Sequence, residues 1–271
     1  MVSVLGNKDL IALARHLISK GPVKTLPSSR RIRILLNGTY IADTTQALYV
    51  WEHDRFPQYY VPLSSFKKDS WTKTESIDND AASLLRITAG NQSTERVIAF
   101  STSLDKDGDK SDLIHALRGL VRVEFSSVDQ WYEEDTPIYV HPKDPFKRVD
   151  IVHSTRPICV LVDGVQVAAA TSSQHLFETT LPTRFYLPPT AVDAALLRPS
   201  NLVTRCPYKG DAEYYDVVVG GGERVLRDVV WYYKHPTLEC SPIAGHLCFY
   251  NEKVDIELDG KLLERPVIKF A

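Results

Sequence analysis

Alternating apolar and polar positions dominate the chain after residue 22. "IRILLNGTYIAD" is rich in β-branched residues and is interrupted by Asn37-Gly38, the strongest short hairpin signal. The same pattern returns around Asp163-Gly164 and Asp259-Gly260, and a further hairpin is predicted across residues 220–222. Long helical periodicity is scarce here, and "SDLIHALRGL" is the clearest exception. The pattern predicts a mainly β fold built from antiparallel hairpins.

The first 22 residues follow a different period. Their apolar positions recur at helical spacing, with charges between them, at Leu10, Leu13, Ala14, Leu17 and Ile18. Asn7 is placed to start the helix and Gly21-Pro22 to end it. We therefore expect one amphipathic helix. A signal peptide would not carry these charges, and acidic Asp9 together with sparse arginine disfavours a mitochondrial presequence.

Two long stretches of the chain repeat each other at a constant offset of 126 residues. Asn37-Gly38 matches Asp163-Gly164, and Glu52 matches Glu178. Further matches follow at the same offset, including Tyr60 with Tyr186, Pro62 with Pro188 and Gly119 with Gly245. The sequence predicts a helical extension at 1–26 and two copies of one small β domain at 27–150 and 151–271.

Composition and charge remove several functional classes. The chain has 271 residues, 44% hydrophobic and 24% charged, as in a globular protein that buries a core. A formal net charge of −2 argues against nucleic-acid binding through a basic field, and no apolar run approaches the roughly 20 residues that cross a bilayer. "DKDGDKSD" lacks the spacing of a calcium-binding EF-hand loop.

The four cysteines all lie in the second half of the chain and form no C-x-x-C pair. A structural zinc site is therefore not expected, and neither a metal nor a cofactor is predicted. Without an export signal, we expect the thiols to be reduced and the protein to be cytoplasmic. The oligomeric state is left open.

"TRCPYKGDAEYYDV" occurs only in the second copy and is the main candidate for a site. Cys206 is either a nucleophile stabilised by Lys209 or a buried apolar side chain. Lys209 is either a ligand-binding cation or an exposed loop lysine, and Pro207 with Gly210 also suits a plain turn. Nearby rings either fill the core or line a pocket, and Tyr208 and Trp231 are the strongest candidates for lining one.

Glu178 lies among apolar and aromatic residues, where a buried carboxylate needs a partner. Arg184 or Lys209 could provide it, and a desolvated Glu178 could act as an acid or base. The alternative is an edge-strand glutamate that faces water. His141, Asp144 and Arg148 fall in the Pro-bounded segment between the copies, and we expect them to form an ordered turn between the two domains rather than a metal site.

Several motifs in fixed order resemble the tandem form of the domain-of-unknown-function 427 family of bacteria and fungi. They are "WYEED…YVHPKDPFKRVD", "LFETTLPTRFYLPP", "TRCPYKGDAEYYDV", "VVWYYKHP" and "IAGHLCFYNEKVDIELDG", and the resemblance covers about residues 30 to 268. It implies a small all-β, β-tent-like domain whose activity is unknown. The family motif maps onto Glu178, Arg184, Tyr186, Cys206, Tyr208, Lys209, Gly210, Tyr215 and Trp231.

This chain departs from the family pattern in two ways. It has Tyr214-Tyr215 where members often carry Tyr-Trp, and its first copy lacks the Cys-Pro-Tyr-Lys-Gly element. The family also carries a nucleotidyltransferase-type label, but this sequence shows neither a phosphate loop nor paired metal-binding aspartates. We therefore expect one site per chain.

Two hypotheses for function follow. The first is binding of an unknown small molecule, with or without catalysis, in one aromatic-lined pocket of the second copy. Lys209 and Arg184 would bind an anionic or carbonyl group, the rings of Tyr208, Tyr186, Tyr215 and Trp231 would line the pocket, and Glu178 or Cys206 would react. The second hypothesis is a non-catalytic module that presents a groove to a protein or peptide.

Overall fold

A computed structural model describes residues 7–104 and 111–267, with the side chain of Ser111 excepted. Most of the "DKDGDKSD" stretch lies outside these ranges. The chain divides into two compact units, Met1–Asp144 and Pro145–Ala271. Each unit contains two antiparallel sheets, and the same eleven-strand order occurs twice. The predicted mainly β, two-repeat fold with one N-terminal helix is confirmed.

The first unit opens with α1 and also contains a short second helix. Its helices are α1 (Lys8–Lys20) and α2 (Ser111–His115), and its strands are β1 (Lys24–Pro27), β2 (Ile32–Leu36), β3 (Thr39–Thr44), β4 (Leu48–Trp51), β5 (Gln58–Pro62), β6 (Trp71–Ile77), β7 (Ala82–Ala89), β8 (Gln92–Phe100), β9 (Leu120–Val123), β10 (Gln130–Glu133) and β11 (Thr136–Ile138). The sheet orders are β1-β4-β5-β9-β8-β7-β6 and β11-β10-β2-β3.

The second unit repeats these eleven strands, and its residues up to 267, which the structure describes, include no counterpart of α1. Its strands are β12 (Val149–Ser154), β13 (Ile158–Val162), β14 (Val165–Ala170), β15 (Ser173–Glu178), β16 (Arg184–Leu187), β17 (Leu197–Cys206), β18 (Gly210–Val219), β19 (Arg224–Tyr233), β20 (Leu247–Phe249), β21 (Asp255–Leu258) and β22 (Lys261–Leu262). The sheet orders are β12-β15-β16-β20-β19-β18-β17 and β14-β13-β21-β22. A 3-10 helix, Leu238–Ile243, lies between β19 and β20.

The hairpin turns form where Asn-Gly and Asp-Gly predict them. Asn37-Gly38 joins β2 to β3 with φ of 49° and 68°, and Asp163-Gly164 joins β13 to β14 with φ of 49° and 80°. Both central residues of such a turn need positive φ, which Asn, Asp and Gly tolerate best. The two hairpins therefore begin the small sheet in the same way in both units.

Each unit buries two separate clusters of side chains. One lies between the two sheets, and the other lies on the outer face of the seven-stranded sheet. In the first unit α1 covers that outer face, because Leu10, Ala14, Leu17 and Ile18 are buried against it. In the second unit the outer face carries aromatic residues and receives Cys240 and Ile243 from the 3-10 helix.

The bounds of α1 agree with the sequence, and Asn7 is its N-cap residue, although its side chain does not cap the helix. The helix begins directly after Asn7, whose backbone oxygen accepts from the Ile11 N–H at 3.0 Å while its side chain makes no capping hydrogen bond. At the other end the Gly21 N–H donates to the Leu17 oxygen, with φ of 71°. Among the described helices, none has the length and apolar content to span a membrane.

Replacing Leu17 by alanine should loosen α1 from the first unit. Leu17 has no exposed surface and packs in the outer-face cluster, so Leu17→Ala leaves a cavity and should cost about 2–5 kcal/mol. Chemical denaturation followed by circular dichroism measures the loss. Ser19→Ala on the exposed side of the same helix is the matched control and should change stability by less than about 0.5 kcal/mol.

Candidate functional site

Glu178 is the last residue of β15 and points to the outer face of the seven-stranded sheet. Side chains alternate along a strand, so Glu178 shares this face with Leu176, which belongs to the outer-face cluster. The opposite face carries His175, whose ring meets Phe185 in the cluster between the sheets. Only 9% of Glu178 is exposed. The alternative prediction, that Glu178 faces water from an edge strand, is therefore wrong.

Two lysines hold the Glu178 carboxylate. Lys209 Nζ donates to Oε2 at 2.5 Å, and Lys147 Nζ lies 3.0 Å from Oε1. The lysine side chains are themselves mostly buried, with 12% and 16% exposed. Lys147 Nζ also lies 5.4 Å from the centre of the Tyr208 ring. We call Glu178, Lys209 and Lys147 the Glu178 cluster. Its two ammonium groups and one carboxylate leave a net charge of +1.

The turn that carries Lys209 is fixed by backbone constraints. Gly210 pairs with Cys206 across the turn and has φ of 102°, and a Cβ there would come 3.1 Å from the His235 oxygen. The Thr237 N–H donates to the Lys209 oxygen at 3.1 Å, and Thr237 Oγ1 donates to the Tyr208 oxygen at 2.6 Å. Because both carbonyls are bound, the backbone from which the Lys209 side chain projects is held in place.

Charge pairing sets the protonation of the cluster. Burial alone would raise the pKa of Glu178, but the ammonium groups of Lys209 and Lys147 outweigh it and hold the pKa below its ordinary value. Burial would lower the pKa of Lys209, but attraction from Cys206 and Glu178 outweighs it and raises the pKa. Glu178 is therefore ionised at neutral pH and cannot act as a general acid. Lys209 is protonated at neutral pH and cannot act as an amine nucleophile.

The first unit solves the same burial problem with different residues. Glu52, the counterpart of Glu178, accepts from Tyr60 Oη at 3.0 Å and from Arg122 Nε at 3.0 Å. Arg122 pairs with Tyr60 in the sheet as Cys248 pairs with Tyr186, so Cys248 occupies the place of this arginine. In the second unit Trp231 Nε1 donates instead to Tyr186 Oη at 3.0 Å. Both cations that pair with Glu178 therefore come from outside the strands, Lys209 from the β17–β18 turn and Lys147 from the segment before β12.

Aromatic rings surround Trp231 on the outer face. Its ring centre lies 4.5 Å from that of Tyr250 and 6.2 Å from that of Tyr186, the latter edge-on. Arg184 lies 5.4 Å from the Trp231 ring and forms a bidentate ion pair with Glu252, at 2.6 and 2.7 Å. Lys209 rather than Arg184 is therefore the partner of Glu178, and Arg184 joins the Glu252 loop to the aromatic group.

The structure separates the two adjacent tyrosines of the motif. Tyr214 lies in the outer-face cluster, where its Oη is 2.8 Å from Thr204 Oγ1. Tyr215 points the other way and stacks on Tyr232 at 5.2 Å beside the cluster between the sheets. Of the predicted ring residues, Tyr208, Tyr186 and Trp231 share the outer side with Glu178, and Tyr215 does not.

Lys147 is the site residue that the sequence reading missed. It lies two residues before β12 begins. Val149 and Ile151 follow it at intervals of two residues, and both pack against the outer-face cluster. Strand alternation from these two apolar residues would have placed Lys147 on the same side as Glu178. Val149 is also the register partner of Glu178, which brings Lys147 close.

The residues predicted to lie between the copies have contacts within their own units. The His141 ring stacks on Phe56 at 4.0 Å, and Asp144 accepts from Trp51 Nε1 at 3.0 Å. Arg148 pairs with Asp150 and its backbone N–H donates to Thr179 Oγ1. Their role between the domains stays a prediction. Among the described residues, no three His, Cys, Asp or Glu side chains are arranged to hold a metal.

Two cavities formed by described residues lie away from the Glu178 cluster. One of about 310 Å³ is bounded by Asp78–Ala81 and by Ser101 and Ser103 in the first unit. The other, about 530 Å³, is bounded by Cys159, Ala169 and Pro188 among others in the second unit. The predicted pocket around Lys209 is therefore not one of these two cavities.

The fold and the cluster define a protein made of two tandem antiparallel β units, with one unit carrying a doubly paired buried carboxylate. Residues 24–134 and 150–260 each match the family described as Domain of unknown function (DUF427). The chain belongs to this family and contains its domain twice. A comparison with curated proteins found no match. The more specific expectation of a β-tent fold stays a prediction.

Replacing Glu178 by glutamine should remove an acid-sensitive part of the stability. A carboxylate with a lowered folded pKa contributes stability that is fully present above its unfolded pKa of about 4.3 and is lost as pH falls through the folded pKa. At pH 7, Glu178→Gln should cost about 3 kcal/mol because two buried ammonium groups lose their partner.

Denaturation of both proteins between pH 7 and pH 3 measures the difference. The advantage of the wild type over Glu178→Gln should be constant near neutral pH and should shrink in acid below about pH 4.3. An advantage that stays the same from pH 7 to pH 3 would show that ionisation of Glu178 adds nothing to folding.

Proposed function

We propose that the second unit binds a small anionic or carbonyl-bearing molecule at the Glu178 cluster. The observation that carries this proposal is the unequal charge of two equivalent sites. Glu52 and Glu178 each accept from two donors, but Glu52 has one neutral donor and one cation, whereas Glu178 has two cations. Hydrogen bonding alone does not account for the second lysine, and an additional negative group would balance it.

The lysines also have donors to offer. An ammonium group has three N–H donors, and the bond to Glu178 uses one on each lysine. Both side chains retain some exposure, 12% for Lys209 and 16% for Lys147, so a small ligand can approach from solvent. In this proposal the ring of Tyr208 beside Lys147 forms one wall, and Tyr186 and Trp231 form the apolar background.

Catalysis at this site would fall to Cys206 rather than Glu178. The lowered pKa of Glu178 makes it a weak base and keeps it ionised. Cys206 is partly exposed and ends β17, directly across from Gly210. Its thiol therefore lies at the base of the turn that carries Lys209.

A ligand screen by thermal denaturation tests the proposal. Small carboxylates and phosphates should raise the melting temperature of the wild type by about 5–10 °C at a concentration near one hundred times Kd. Lys209→Met and Lys147→Met should lose this shift because the ligand loses its cation. Lys234→Met, which changes an exposed lysine just after β19, is the matched control and should retain it.

Circular dichroism establishes first that each variant is folded, so that lost binding is not confused with unfolding. Lys147→Met serves as the second variant where Lys209→Met does not fold. Ligands that stabilise both folded variants as strongly as the wild type would place the site elsewhere. A panel that stabilises no protein would contradict an anionic ligand.

A second candidate function is a non-catalytic module that pairs with an extended peptide. The edge strand β17 favours it, since Leu202 and Val203 on this strand are 39% and 57% exposed. Replacing Val203 by lysine should then abolish capture of a peptide partner without changing the ligand-induced shift. A shift lost in Lys209→Met but kept in Val203→Lys would favour the small-molecule site.

A further inference from the structure

Two partly exposed cysteines of the second unit have different neighbours. Cys159 lies on β13, where Glu257 is its cross-strand neighbour and Gln166 Oε1 accepts from its thiol at 3.4 Å. Burial and Glu257 together raise the pKa of Cys159. Cys206 instead lies at the base of the Lys209 turn. The remaining two cysteines, Cys240 and Cys248, are buried.

The Cys206 side chain lies on the side of the sheet that carries the Glu178 cluster. Along β17, Cys206 lies two residues after Thr204 and so on the same face, and Thr204 Oγ1 is 2.8 Å from Tyr214 Oη. Tyr214 and Ala212, the register partner of Thr204 on β18, belong to the outer-face cluster of the second unit. The thiol therefore faces the side of the sheet on which Lys209 and Lys147 hold Glu178.

We infer that Cys206 is the reacting group of the Glu178 cluster, and that its substrates are small carboxylates with an adjacent aldehyde or ketone carbon. This inference rests on the proposed function and makes it more specific. One ammonium group would bind the carboxylate of the substrate. The other would stabilise the oxygen that becomes negative when the thiol attacks the carbonyl carbon.

The proposed step is a reversible addition that needs no oxidant or reductant. The Cys206 sulfur forms a bond to the carbonyl carbon, and the π electrons of the C=O bond move to the oxygen. That oxygen takes up the proton that the thiol loses, so the product is a thiohemiacetal and no group leaves. Neither lysine gives up a proton in this step, and the raised pKa of Lys209 agrees with a protonated ammonium group there.

Alkylation of the intact protein compares the two thiols within one molecule. Iodoacetate is an anion and iodoacetamide is neutral, so the ratio of their rates reports the local charge at each cysteine. Peptide mass spectrometry should give a ratio at Cys206 about tenfold or more above that at Cys159. Lys209→Met and Lys147→Met should each lower the ratio at Cys206 and leave Cys159 unchanged. Equal ratios at the two cysteines would overturn the inference.

Carbon-13 labelled glyoxylate tests the covalent step with a defined probe. It should slow iodoacetamide labelling of Cys206 but not of Cys159, and the labelled aldehyde carbon should give a protein-bound tetrahedral signal by NMR. Cys206→Ser should lack this signal, while Cys159→Ser should retain it. A bound signal that persists in Cys206→Ser would assign the reaction to another group.

The same variants separate this inference from the proposed function. If carboxylates stabilise Cys206→Ser and the wild type equally but glyoxylate forms no adduct, the site binds anions and the covalent step is wrong. If neither carboxylates nor phosphates stabilise either protein, the proposed function is wrong as well.

Discussion

A buried carboxylate at the end of one strand sets the chemistry on the outer face of each seven-stranded sheet. Glu52 follows β4 and Glu178 ends β15, so both project where apolar and aromatic side chains surround them. An isolated carboxylate in such a place would cost several kcal/mol, so each requires a cation within hydrogen-bonding distance. The choice of cation then constrains the rest of the outer face.

In the first unit the cation comes from the sheet itself. Arg122 lies on β9, next to Tyr60 on β5, and the three polar groups occupy the middle of the sheet. The rest of that face is largely aliphatic and packs under α1. In the second unit cysteine replaces this arginine, and the indole of Trp231 provides a hydrogen bond to Tyr186 in its place. Glu178 therefore depends on Lys147 and Lys209, which enter from the chain before β12 and from the β17–β18 turn.

Two kinds of signal predicted the fold. Asn-Gly and Asp-Gly positions predicted the hairpins and helical spacing predicted α1, because each of these depends on residues that are close in sequence. The constant offset of 126 residues predicted two copies, because it compares whole stretches of the chain. The site was partly predictable. A carboxylate among apolar residues must have a partner, and this argument narrowed the choice to Lys209 or Arg184. Nothing local could decide between them, since Arg184 is fixed by Glu252, a residue 68 positions away.

The alternation of side chains along a strand explains two further differences between prediction and structure, the opposite faces of Tyr214 and Tyr215 and the missed Lys147. Tyr214 and Tyr215 are equivalent in composition and face opposite sides of the sheet, and the register shift between Tyr215 and Val217 shows how easily parity is lost along β18. Lys147 was missed because it precedes its strand, although Val149 and Ile151 define the side on which it lies. The sequence therefore identified most residues of the candidate site, but it did not show on which face of the sheet each side chain lies.

The comparison between the two units shows which donors a buried carboxylate requires for folding and which it does not. If the second lysine served only to satisfy Glu178, a neutral donor in its place would do as well, because Tyr60 does so for Glu52. A second ammonium group brings a further desolvation cost, which the shared carboxylate offsets only in part. A bound anion would remove that imbalance, and the Lys209 turn holds the thiol of Cys206 next to the region where the anion would lie.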